Sequence, residues 1–330
     1  MAYEKTYNTL EKISEKVLGK DKNVFLIGGI SAAIQTGTDL YRQNEDLDLM
    51  VDTKELVDVL TALKEMGYKA YDRRGIKTQN TVGMDGKFIA MSHEIDVDST
   101  DRDMLGIGIF TYERSNGKVI THSYTHDQRD GVCRGTKKVM PEELFDLMYS
   151  QEAVEYKGMQ LKTSSKEFVY LSKSRGDRPK DKQDADVLSP YIDEDAKKRI
   201  ARIQQLEKRT KVYREIFGED GEIVETVEEL SYPDKVHRFI ENWTRQNQEI
   251  QPENLCEALL SNQQVQRMAE NDSDMRAILD KLKEVKPAKS AEEFSKNAKR
   301  VTELYCYSDN FEKDFQREFG EKDERDEHSK

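Results

Sequence analysis

Asp46 and Asp48 alternate with Leu47 and Leu49 near the end of the stretch Val24 to Asp52, VFLIGGISAAIQTGTDLYRQNEDLDLMVD. Residues two apart in a β-strand point the same way, so both carboxylates share one face while both leucines enter a core. Two adjacent acids repel each other and are costly unless a cation lies between them, which makes a divalent metal their natural partner. His93 to Ser99, HEIDVDS, repeats the pattern, with Glu94, Asp96 and Asp98 on one face and Ile95 and Val97 on the other. Carboxylates from a second strand are what a two-metal centre needs, because two acids alone cannot fully hold two divalent ions. A solvent-facing polar strand is the plain alternative for this second segment.

These acids must be positioned by the elements around them. Thr6 to Leu18 spaces Tyr7, Leu10, Ile13, Val17 and Leu18 as an amphipathic helix, and Asn23 to Ile27 reads as a short buried strand. Gly28-Gly29 ends that strand. Paired glycines there allow either a plain strand-to-helix turn or a backbone that closely approaches a ligand's phosphates. Residues 30 to 38 suit a helix packed on a sheet, Leu47 to Val51 a second strand, and Leu56 to Met66 an amphipathic helix stopped by Gly67. Further strands are expected at Lys69 to Asp72, Lys87 to Val97, Ile107 to Tyr112 and Lys118 to Tyr124, with hairpin turns at Asp85-Gly86 and Asn116-Gly117.

Helices are expected at Glu142 to Tyr149, after Pro141, and at Leu161 to Lys173. The latter leads into SRGDRPKDKQDADVL. From Lys157 to Lys182 there are eight Lys and Arg against three acids, either a solvated face or a place where Lys173, Arg178 or Lys180 reaches a triphosphate. From Asp195 the pattern is helical almost throughout: Ile200, Ile203, Leu206, Val212, Ile216 and Phe217 form one stripe, and Val236, Phe239, Ile240 and Trp243 another. The fold class is therefore α+β, a mixed sheet over residues 1–190 followed by an all-α region over 191–330. The acidic tail from about residue 320 is expected to be disordered.

The 330 residues are 36% charged with net charge -12, and they lack an apolar run of about 20 residues and an apolar signal core, so a cytoplasmic protein with no membrane partner is expected. Cys133, Cys256 and Cys306 lack metal-ligand spacing and read as reduced thiols. His122 and His126 align on one strand face and read as ordinary polar histidines rather than metal ligands.

Paired glycines, an acid-apolar-acid strand and a third acid on another strand resemble the nucleotidyltransferase superfamily of the DNA polymerase β type, among its minimal-motif members. IGG, RQNEDLDL from Arg42 to Leu49, EIDV, and Lys180-Asp181-Lys182-Gln183-Asp184 look most like the AbiEii-type toxin nucleotidyltransferases, in which a KDxxD element follows the core. Aminoglycoside and lincosamide nucleotidyltransferases share the first motifs. The resemblance spans about residues 20 to 190.

It implies Asp46, Asp48 and Asp96 as catalytic residues holding two Mg²⁺ ions, with Mn²⁺ as a substitute and with Glu94 or Asp98 as other choices for the third ligand. Gly28, Gly29, Ser31 and Arg42 would bind the nucleotide, and Lys180 would offset charge on the triphosphate. Asp181 and Asp184 would either orient Lys180 or cap the next helix. A nucleoside monophosphate would pass from an NTP to a hydroxyl on RNA, such as tRNA, on a protein, or on a cationic small molecule. A toxin of this kind would have an antitoxin partner. An antibiotic nucleotidyltransferase is the alternative within the enzyme class, and a non-catalytic protein-binding scaffold the alternative outside it.

Overall fold

The computed structural model describes residues 3–18, 21–72, 94–126, 133–217 and 223–320. In chain order the first unit contains α1 (Glu4–Lys16), β1 (Val24–Ile27), α2 (Ile30–Thr36), β2 (Asp46–Asp52), α3 (Leu56–Glu65), β3 (Tyr68–Asp72), β4 (Glu94–Ser99), β5 (Gly106–Ser115), β6 (Lys118–His126) and β7 (Cys133–Pro141). It continues with α4 (Glu142–Met148), β8 (Val154–Tyr156), β9 (Met159–Leu161), α5 (Lys166–Ser174), α6 (Pro179–Leu188), α7 (Glu194–Glu207), β10 (Lys211–Phe217) and β11 (Ile223–Glu228).

Among the described residues nine strands form one mixed sheet, in the order β1-β2-β5-β6-β7-β10-β11, with β4 pairing both β5 and β3. Strands β2 and β5 are parallel over Asp46↔Gly106 to Asp52↔Tyr112, a pairing that requires the intervening crossover. On its other edge β5 is shared. Residues 107–110 pair with β4 and residues 112–115 with β6. The Asn116-Gly117 turn between β5 and β6 has φ of 51° and 71°, as a type I′ turn demands. The expected turn at Asp85-Gly86 lies outside the described residues, as does the first part of the strand expected at Lys87 to Val97.

Alternation divides the sheet between two cores. Leu47, Leu49, Val51, Ile95, Val97, Ile107 and Ile109 pack with Leu10 and Ile13 of α1 and Leu56, Val59 and Leu60 of α3. Met50 and Tyr112 pack on the opposite face, with Phe145 of α4, Leu171 of α5 and Ile203 and Leu206 of α7. Asp46 and Asp48 belong to this second face, four and two residues before Met50.

Two expectations need correction. Leu161 to Lys173 is not one helix: Leu161 ends the β8–β9 hairpin, and α5 begins only after Ser165, whose side chain caps it by accepting from Phe168 N. The stripe running to Phe217 is not one helix either, because α7 stops at Glu207 and Lys211–Phe217 becomes β10. Val212 and Ile216 stand four apart, a spacing that aligns side chains in a helix and in a strand alike.

The first compact unit accordingly runs through Glu229 rather than ending at 190, and the all-α unit starts at Leu230. That second unit comprises α8 (Tyr232–Gln246), α9 (Leu255–Ser261), α10 (Gln263–Asn271), α11 (Ser273–Leu282), α12 (Ala291–Tyr307) and α13 (Phe311–Phe319). Its core joins Ile240 and Trp243 to Leu259, Ile278, Ala298, Val301 and Phe315. The side chains of Ser231, Asn262, Asp272, Ser290 and Asn310 cap α8, α10, α11, α12 and α13. The acidic tail, residues 321–330, lies outside the described residues. Among the described residues no helix is long and apolar enough to cross a membrane, and Cys256 and Cys306 are reduced.

Candidate active site

Register places the acids. Asp48 pairs with Gly108 of β5, and Gly108 pairs in turn with Asp96 of β4, so Asp48, Gly108 and Asp96 form one row across three strands. Adjacent strands lie about 4.8 Å apart, so the two aspartates are roughly 10 Å apart at the backbone with no side chain between them. The gap is occupied by a carboxylate: a Cβ on Gly108 would lie 2.6 Å from Asp48 Oδ1. One row on, Asp46 pairs with Gly106, whose Cβ would lie 3.6 Å from Asp98 Oδ1. Two glycines two apart on β5 thus clear a trough between the acid-bearing strands. The signal for it, Gly106-Ile107-Gly108 at strand spacing, stands in the sequence, but its meaning depends on which strand lies in the middle.

Asp46 is exposed, and Asp48 and Asp96 are half-buried. Among the described residues no three His, Cys, Asp or Glu side chains converge closely enough to hold a metal ion as they stand. The donor set nevertheless suits a hard divalent cation, being oxygen only and opposed across an open trough. The side chain of Glu94 lies outside the described residues.

The glycine turn borders the same space. Ile27 pairs with Asp48, and Gly28, at φ 78°, passes so near that strand that its Cβ would lie 3.3 Å from Asp48 Oδ2. At Gly29 a Cβ would lie 1.7 Å from Arg42 Nη2 and 2.4 Å from Asp184 Oδ2, so a side chain there is excluded. Ser31 is placed differently from expectation. It is fully buried, and its hydroxyl donates 3.1 Å to Leu26 O, back into the sheet and away from the cavity.

A cavity of about 420 Å³ opens between these elements, lined by Gly28, Gly29, Asp46 and Asp48 and by the cations Arg42, Lys173, Arg178 and Lys180. That volume falls in the range of small-ligand sites. Lys180 stands at the rim, nearly half exposed, with Nζ 3.6 Å from the exposed carboxylate of Glu45. Lys173, at the end of α5, is only 12% exposed and reaches Asp181 Oδ1 at 2.8 Å and Asp184 Oδ2 at 3.3 Å. It is the inner cation of the cavity.

Asp181 and Asp184 neither orient Lys180 nor merely cap a helix. They stand three apart on α6, on one face of it, and both are buried. Asp184 accepts from Arg42 Nε at 2.7 Å and Nη2 at 3.0 Å, a bidentate pair, and from the Tyr41 hydroxyl at 2.8 Å. Asp181 accepts from Arg178 Nε at 2.6 Å and Nη2 at 2.9 Å, and from Lys173. Gly176 makes the α5–α6 corner possible, since a Cβ there would lie 2.6 Å from Asp181 Oδ2. The hydrogen bonds from Arg178 hold the Asp181 carboxyl well below the usual carboxylate range, and Lys173 adds to this against the opposing effect of burial. Burial works against the charge on Arg42, but Asp184 outweighs it and pushes the guanidinium pKa up. Burial first, and then Asp184, push the Tyr41 phenol up, so it remains a donor.

Neither a family model nor a curated protein sequence matches the chain. Solved structures to which the chain is similar include the following two. The lincomycin-bound lincosamide antibiotic adenylyltransferase LnuA is 15% identical, with 56% of this chain and 94% of that one covered and a TM-score of 0.36. ANT(2")-Ia in complex with adenylyl-2"-tobramycin is 11% identical, with 60% and 94% covered and the same TM-score of 0.36. At these scores the likeness carries no argument about activity.

Proposed function

We propose that the chain is a divalent-metal-dependent nucleotidyltransferase that moves a nucleoside monophosphate from an NTP to a hydroxyl acceptor. The observation that carries this reading is the Asp48–Gly108–Asp96 row, with the Asp48 carboxylate opening into the cavity that Arg42, Lys173, Arg178 and Lys180 also line. A scaffold gains nothing from acids opposed across a cleared trough, nor from cations gathered around a cavity.

Asp46, Asp48 and Asp96 would hold Mg²⁺, for which Mn²⁺ can substitute. When bound, the metal neutralises triphosphate charge and stabilises the charge that develops on the α-phosphoryl group. The chain supplies the rest. Gly28 and Gly29 let the backbone approach the phosphates, while Arg42 and Lys173 face the β- and γ-phosphates with little freedom left to lose. Lys180 adds positive charge at the rim. The acceptor oxygen forms a bond to the α-phosphorus as the bond from that phosphorus to the bridging oxygen breaks. Pyrophosphate leaves, and the acceptor's proton passes to Asp96.

For the acceptor we favour RNA or protein, as in an AbiEii-type toxin with an antitoxin partner. The support is RQNEDLDL followed by the KDKQD segment, whose two acids organise the cavity's cations. A cationic antibiotic is the second reading, favoured by the exposed carboxylates of Glu45 and Asp46 beside the cavity and by the net charge of -12. Incubation with α-labelled NTPs, Mg²⁺, bulk tRNA and an aminoglycoside and lincosamide panel tests both. Label is expected on tRNA or protein and absent with Asp46→Ala and Asp48→Ala. Label on the antibiotics alone selects the second reading, and failure to bind any NTP with Mg²⁺ removes the enzyme altogether.

A further inference from the structure

Arg42 and Lys173 come from distant parts of the chain, one from the loop before β2 and the other from the last turn of α5. Isolated, each would be a long side chain with many rotamers, and ordering it on a ligand would cost entropy. Here both are already held, and both touch one group. Asp184, fully buried, takes the Arg42 fork with both of its oxygens, and its Oδ2 also lies 3.3 Å from Lys173 Nζ. Tyr41 donates to Oδ1.

The fork is also locked from the ligand side. Arg42 Nη2 and Asp184 Oδ2 occupy the space that a Cβ on Gly29 would fill, which places the ion pair directly against the glycine turn. Arg42 Nη1 points elsewhere, to Asn44 Oδ1 at 3.1 Å. Lys173 donates to Asp181 and forms an ion pair with Asp184, and its three donors let it reach a ligand as well. Asp181 completes the arrangement by balancing Lys173 against Arg178.

We infer that Asp184 is a positioning residue for triphosphate recognition, which acts by joining Arg42 and Lys173 into one preorganised pair beside the Gly28-Gly29 turn. This rests on the nucleotidyltransferase reading. It gives the second acid of the KDxxD element a role that touches neither metal nor substrate. Because the paired cations face the β- and γ-phosphates, the loss of Asp184 is felt by nucleoside triphosphates and hardly by monophosphates.

The test is calorimetric binding of the α,β-methylene analogues of the four NTPs, and of the corresponding monophosphates, in the presence of Mg²⁺. Asp184→Asn is expected to weaken the triphosphate analogue roughly ten- to a hundredfold, the effect of losing bonds between charged groups, with monophosphate binding nearly unchanged. In an Arg42→Gln background the same change should have little further effect, because a residue that acts through Arg42 loses its means of action there. Additive losses, or equal losses for triphosphate and monophosphate, overturn the inference. Arg42→Lys tests it even where Asp184→Asn does not fold. Lysine keeps the charge but cannot take both carboxylate oxygens, so triphosphate affinity should fall nearly as far as in Arg42→Gln, and wild-type affinity overturns the role. Absence of triphosphate binding by the wild-type protein is a different result, which sinks the parent reading rather than this one.

Discussion

Asp48 and Asp96 face each other across Gly108, two strands apart in the sheet and 48 residues apart in the chain. Mg²⁺ binds oxygen at about 2.0–2.1 Å, so an ion shared by two carboxylates needs them about 4 Å apart with nothing between. A glycine on the middle strand is what makes that approach possible. Several consequences can be measured.

Removal of either inner acid should remove the metal. Asp48→Asn and Asp96→Asn are expected to lower Mn²⁺ affinity by more than the roughly 10–100-fold that loss of a supporting partner costs, and to abolish label transfer. Electron paramagnetic resonance of free Mn²⁺ gives the affinity independently of activity. Unchanged binding in both variants would place the metal elsewhere.

Gly108→Ala should act on the same readout although it removes no ligand. Its Cβ would stand 2.6 Å from Asp48 Oδ1 and must displace that carboxylate, whereas Gly106→Ala meets Asp98 Oδ1 at an ordinary 3.6 Å. Mn²⁺ affinity is expected to drop about tenfold or more in the first variant and far less in the second, with the fold retained in both. Similar affinities for the two would show that the trough has no bearing on the metal.

Lys173 and Lys180 should separate on stability. Lys173→Ala removes the cation shared by the buried carboxylates of Asp181 and Asp184, which keep Arg178 and Arg42, a loss of about 1.5–3 kcal/mol for a hydrogen bond between charged groups. Lys180, exposed beside Glu45, should change stability by less than about 0.5 kcal/mol on replacement by alanine and weaken triphosphate binding more than monophosphate binding. Urea titration resolves the first difference. Equal effects of Lys180→Ala on both nucleotides would take that lysine out of the site.

Acid should reveal Asp181. Its carboxyl pKa is lowered in the folded protein, so the ionised form stabilises the fold at any pH above the unfolded value of about 3.9, and this contribution is lost as pH falls below it towards the folded value. The stability difference between wild type and Asp181→Asn is therefore expected to be constant from neutrality to about pH 5 and to shrink below about pH 4. A difference that persisted undiminished at pH 3 or lower in chemical denaturation, or one that changed near neutrality, would assign the effect to some other group.

Much of this molecule is written in local pattern. Period-two alternation in DLDL and EIDV fixes which side chains share a face, because the strand repeat leaves no other choice, and Asn116-Gly117 specifies its turn through two positive φ angles. The paired glycines, the same-face acids and the α+β class follow from such short-range rules. Where local rules are degenerate, the chain is ambiguous. Val212 and Ile216 satisfy helix and strand spacing alike, and it is pairing with β7 and β11 that makes Lys211–Phe217 a strand.

What tertiary structure alone decided is adjacency. Nothing near Asp48 in the chain says that Gly108 stands beside it or that Asp96 lies beyond, since sheet order is a property of the whole fold. Asp181 and Asp184 look like ordinary helix-surface acids until packing buries them against Lys173 and Arg42, and Ser31 looks like a phosphate donor until burial turns its hydroxyl to Leu26. Sequence determined which groups exist and which way each faces along its own element. The sheet register and the packing of α5 and α6 determined which of them meet, because contacts between residues far apart in the chain are set by the shared burial of the elements that carry them.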